Sequence, residues 1–92
     1  MKEILAELKN VHGGTATVNF DTETKVASVD YHGGDFDGET DELGTFKSIK
    51  DARHSVIMTY GGEYDECFMY AADKKEYVEV HKYTDQYDDW MV

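Results

Sequence analysis

The 92 residues contain no proline, a single cysteine and only nine bases against twenty acids. No proline-rich linker and no duplicated unit divides the chain, so it reads as one domain spanning residues 1–92. Cys67 alone cannot close an internal disulfide, and a fold that holds without a covalent staple suits a reducing cytosol. No stretch approaches the roughly 20 apolar residues of a membrane span. Glu3 and Glu7 interrupt the apolar residues of the N-terminus, which therefore lacks a signal-peptide core. The expected location is the cytoplasm. The shortage of bases, leaving a net charge of −11, excludes direct attraction to nucleic acid or to anionic membranes. It steers the chain toward basic surfaces instead.

What is present argues for a folded domain. Hydrophobic residues make up 40%, and seven Tyr, four Phe and one Trp supply aromatic bulk that disordered acidic chains lack. A domain of this size buries about 60–65% of its unfolded surface, so its stability is modest.

The acids are concentrated. Asp30 to Glu42, DYHGGDFDGETDE, holds six of them and no base. Asp35, Asp37, Glu39 and Asp41 recur at every second residue. On an extended backbone they would share one side, spaced roughly 6.6 Å apart, each neighbouring pair repelling by about 0.6 kcal/mol in water. Glu63, Asp65, Glu66 and Asp73 form a second base-poor group around Tyr64, and Asp85, Asp88 and Asp89 a third beside Trp90. Between the first two groups, residues 43–62 carry a small excess of positive charge from Lys47, Lys50 and Arg53.

Periodicity sketches the elements. Ile4, Leu5, Leu8 and Val11 form a helical stripe over Lys2 to Val11, stopped by His12-Gly13-Gly14. Thr15 to Phe20 and Lys25 to Tyr31 alternate apolar and polar residues around a polar turn, as a hairpin does. The glycine-rich acidic stretch reads as a loop with an extended edge segment. Thr45 caps a short helix over Phe46 to Arg53, whose apolar residues fall at i, i+3 and i+6. His54 to Tyr60, rich in β-branched and aromatic residues, reads as a central strand. Tyr64 to Ala72 and Glu76 to Tyr83 supply two more strands. The expected fold is α+β: an N-terminal helix on a mainly antiparallel five-stranded sheet, with a second short helix. His12-Gly-Gly, His32-Gly-Gly and Tyr60-Gly-Gly read as three turns.

No catalytic pattern emerges. Asp35, Asp37, Glu39 and Asp41 fall at positions 1, 3, 5 and 7 of a calcium-type loop. Thr40 and Phe46 occupy the places where that loop needs Gly and a bidentate Glu. The four histidines and Cys67 lack metal-ligand spacing, so no metal or cofactor is expected. Ser55 and Cys67 lack the local signatures of a nucleophile, and the clustered acids lie in hydrophilic segments that offer no apolar pocket to raise a carboxyl pKa. Cys67 reads as a small buried hydrophobe. Tyr60, Phe68 and Tyr70 read as core.

The remaining reading is binding. Carboxylates at Asp35, Asp37, Glu39, Asp41, Glu42, Glu63, Asp65, Glu66, Asp85, Asp88 and Asp89, with Tyr64 and Trp90 as flat anchors, suit a basic protein surface. Such an array imitates a nucleic-acid backbone and would occupy the Lys/Arg groove of a DNA- or RNA-handling protein. In size, acidity and lack of a catalytic motif the chain resembles the phage-encoded anti-defence proteins, the anti-CRISPR and anti-restriction inhibitors. That resemblance is one of general character over the whole chain and implies a non-catalytic inhibitor. Two alternatives use the same residues: an immunity protein or antitoxin against a basic toxin, and a domain that binds a divalent cation or small ligand in the acidic loop.

Overall fold

The computed structural model describes residues 1–60, 66–71 and 75–80, the side chain of residue 66 excepted. Four consecutive strands make an antiparallel meander: β1 (Lys2–Val11), β2 (Gly14–Asp21), β3 (Val26–His32) and β4 (Thr40–Thr45). A helix, α1 (Ile49–Tyr60), carries the chain to β5 (Glu66–Ala71), and β6 (Glu76–Glu79) follows. The order across the sheet is β4-β3-β2-β1-β5-β6, every neighbouring pair antiparallel. The expected five-stranded sheet with an N-terminal helix and a second short helix is therefore corrected to six strands and one helix among the described residues. No helix among them is long and apolar enough to cross a membrane.

Lys2 to Val11 looked helical because β1 is bulged twice. Its register with β2 shifts between Ile4 and Ala6, and again between Leu8 and Val11. Each extra residue resets the pleat. The buried residues Leu5, Ala6, Leu8 and Val11 then follow a spacing that imitates a helix stripe instead of strict alternation. Asn10, at φ 58°, sits inside the second irregularity, in a conformation Asn tolerates better than most residues. His12 and Gly13 do not stop a helix; both have positive φ and join paired Val11 and Gly14, as a two-residue type I′ hairpin requires.

The helix starts and ends later than expected. Ser48, not Thr45, caps it, its Oγ accepting from the Asp51 N–H at 3.3 Å in the usual N-cap manner. Ala52, Val56 and Ile57 are fully buried, with Ile49 and Tyr60 packed beside them. The stripe at i, i+3, i+7, i+8 and i+11 crosses the boundary drawn between the expected helix and the expected strand His54 to Tyr60. Tertiary packing overrides the β-propensity of Val56, Ile57 and Thr59.

α1 packs over β1, β2 and β5 on one face of the sheet. The core lies between them: Leu8, Val18, Phe20, Val29, Ile57 and Met69 are almost wholly inaccessible. The β2–β3 hairpin and the alternation of β6 are as the sequence reads. In β6 the half-buried Val78 stands opposite Met69, followed by buried Val80, while Tyr77 and Glu79 remain exposed.

Candidate functional site

The acidic stretch is held by backbone packing between two His-Gly-Gly motifs. His12-Gly13-Gly14 at the β1–β2 turn meets His32-Gly33-Gly34 at the end of β3. A Cβ on Gly14 would lie 2.4 Å from the Gly33 carbonyl oxygen, and one on Gly34 2.5 Å from that of His12. Only hydrogen-sized side groups permit this approach. The Asp35 N–H donates to the His12 carbonyl at 3.0 Å, tying the acidic segment to the neighbouring hairpin. The two motifs are turns that the fold brings into one contact.

Gly34 to Phe36 form a single 3-10 turn. Phe36 packs edge-on against His12, centroids 4.7 Å apart, and tilts against Tyr31 at 5.5 Å. The Asp37 carboxylate accepts from the Gly33 N–H at 2.7 Å. Gly38, at φ 82°, donates to the Tyr31 carbonyl, while the Tyr31 N–H donates to that of Glu39. The segment enters β4 already ordered.

Strict alternation fails here. The 3-10 turn and Gly38 break the extended path, so Asp35, Asp37, Glu39 and Asp41 do not form the evenly spaced row the sequence suggests. Asp37 turns inward to its own loop. Asp41 stands opposite buried Val29, and Glu42 opposite Ser28, so these two acids flank β4 on its two faces. Asp35, Asp37, Glu39, Asp41 and Glu42 are all exposed, and among the described residues none is in an ion pair. No three His, Cys, Asp or Glu side chains among the described residues gather where they could hold one metal ion.

Glu66 opens β5, opposite Lys9. Four strand steps separate β5 from β4, about 19 Å at ~4.8 Å each, so Glu66 does not join the β4 acids side by side. Both nevertheless belong to one end of the sheet. The β1–β2 turn, the β3–β4 connection and the start of β5 all lie there. So does Val80, whose N–H donates to the Cys67 carbonyl at 2.9 Å. Glu63, Tyr64, Asp65, Asp85, Asp88, Asp89 and Trp90 lie outside the described residues.

The sheet face opposite α1 is uncovered by any described element. Its β2–β4 half is polar. Asp30 is its hub, accepting from the Asn19 amide at 3.1 Å and the Thr40 hydroxyl at 2.7 Å; Thr17 and the His32 ring lie 3.2 Å apart alongside. Its β5–β6 half is aromatic. Phe68 and Tyr70 are half-exposed there, alternating with buried Cys67, Met69 and Ala71, which corrects their assignment to the core. The Lys9 ammonium sits 4.9 Å from the Phe68 ring centre, and Tyr70 packs against Tyr77 at 5.1 Å. Burial, then the Glu7 carboxylate, then Tyr70 push the Tyr77 phenol above its ordinary range. The alternation from Cys67 to Ala71 carried this signal in the sequence, but the expected N-terminal helix left β1 out of the sheet and hid which face was open.

Comparison with protein-family models, curated proteins and solved structures gave no match. The site must be read from its own residues.

Proposed function

We propose that this protein is a non-catalytic inhibitor whose exposed carboxylates stand in for nucleic-acid phosphates and occupy the basic groove of a DNA- or RNA-handling protein. The observation that supports this most is the order of the segment Asp35 to Glu42: five exposed acids, no base, and a backbone clamped to the β1–β2 turn. Duplex DNA presents one negative charge per ~1.7 Å of axis, and its binding proteins are built to pair with dense, ordered anions. Acids fixed on a rigid edge do not have to be ordered during binding, so less conformational freedom is lost. Charge steers the encounter, and the neighbouring ring of Phe36, 37% exposed, adds apolar contact.

Immobilised protein challenged with host lysate retains a basic nucleic-acid-binding protein at low salt, releases it as salt rises, and loses it to added duplex DNA or RNA. The triple variant Asp35→Lys, Glu39→Lys, Asp41→Lys abolishes capture. Asp37 is left in place because its carboxylate holds the Gly33 N–H. Capture that survives this charge reversal, or retention of no basic protein, would overturn the proposal.

A further inference from the structure

We propose that β4 is a docking edge which takes an added β-strand from the partner: an extended, Lys/Arg-bearing segment whose backbone pairs with Thr40–Thr45. This deepens the functional reading above and rests on it. Among the described residues β4 pairs only with β3, and Thr40, Asp41, Glu42 and Thr45 are exposed. Among the described residues its other side therefore presents the unpaired row of N–H and C=O groups that an edge strand offers to another chain. α1 packs mainly over β1, β2 and β5, and no described strand pairs with the outer edge of β4.

Charge selects the occupant. Asp41 and Glu42 point to opposite faces of β4, so an added strand meets a carboxylate on each face. A second copy of this chain brings the same acids to the same positions, and directly opposed like charges oppose pairing. A strand with basic residues on both faces is complementary at each. The edge also has a receiving end. Beyond Thr45 a groove of about 530 Å³ opens between the strand's exit and α1, its lining including apolar Phe46 and Met58 together with Lys47, Asp51 and His54. A segment running along β4 reaches this groove, which accepts an apolar side chain at its terminus.

The probe is a synthetic eight-residue peptide of paired residues, Lys-Lys-Val-Val-Lys-Lys-Val-Leu, which sets Lys on both faces of an extended strand. Its control has the same sequence with alternate backbone amides N-methylated, which keeps charge and side chains but removes the hydrogen bonds along one edge. Calorimetry at physiological salt is expected to give binding at least tenfold tighter for the unmethylated peptide. Amide hydrogen exchange is expected to slow within residues 40–45 on binding. Met58→Lys, at an exposed site, weakens binding several-fold. Equal affinity of the two peptides, or protection outside β4, overturns strand addition. If the basic protein of the lysate experiment is still captured, the mimicry reading survives that result. Loss of that capture together with absent peptide binding removes both.

Discussion

Gly14 and Gly34 carry the placement of the acidic segment, and each can be tested against Gly38. A methyl group at Gly14 meets the Gly33 carbonyl carbon and oxygen within 2.5 Å, and those atoms belong to the backbone and have no rotamer to change. Gly14→Ala should therefore cost about 2–3 kcal/mol, in the range of overpacking. Gly38 has open space around it but φ 82°, so Gly38→Ala should cost only about 1 kcal/mol of left-handed strain. Urea titrations of both variants check the ranking, and an equal loss would mean the close approach does not exist. Cys67 makes a second residue-scale case. Burial pushes its thiol up from an ordinary 9.0 to about 11, so it stays protonated and unreactive toward iodoacetamide in the folded state at pH 8 and is alkylated only in denaturant. Between pH 9 and 11 the unfolded chain has released this proton while the native chain retains it, so stability falls as pH rises through that window. The difference between wild type and Cys67→Ala across those pH values isolates the effect. The burial of Cys67 was legible from its apolar neighbours. The contact between the His-Gly-Gly motifs was not, since no local rule pairs two turns twenty residues apart.

Among the elements, α1 decides whether the sheet has a core. Ser48→Ala removes its cap and should cost about 1 kcal/mol; Ile57→Ala, at a fully buried position, should cost about 2–4 kcal/mol. Thermal unfolding followed by circular dichroism separates the two. The same helix shows where periodicity misleads. Residues 54–60 carry β-branched side chains at both phases, and a window confined to them reads as a strand. Extended back to Ile49, the stripe closes on one helical face. β1 errs in the other direction, because its two bulges displace Leu5 and Val11 from alternation. Unbulged strands, β2 and β3 above all, were legible as they stand. Six of the thirteen candidate binding residues, Asp35 to Glu42 on the β4 side and Glu66 at the head of β5, fall on described backbone. There the acidic run is legible in composition and its bent path is not, because φ values at Gly33, Gly34 and Gly38 set it.

At the scale of the whole molecule, a net charge of −11 on 92 residues works against the compact state through self-repulsion. Added salt shortens the Debye length from about 30 Å at 0.01 M to about 8 Å at 0.15 M, so the melting temperature is expected to rise over that range. Asp41→Asn, which removes one charge from the edge and no described hydrogen bond, should leave stability unchanged or slightly raised while weakening capture of a basic partner. Loss of stability in that variant would show that Asp41 serves the fold rather than an interface. The order of the strands has a further consequence for synthesis. β1 is made first and finds β2 at once, but its second neighbour, β5, emerges from the ribosome only after more than fifty further residues. During that interval one side of β1, with its buried Leu5, Leu8 and Val11, waits open inside what will become the middle of the sheet. Nascent chains stalled before residue 66 are accordingly the species most prone to aggregate, and release of the β5 segment is the event that protects them.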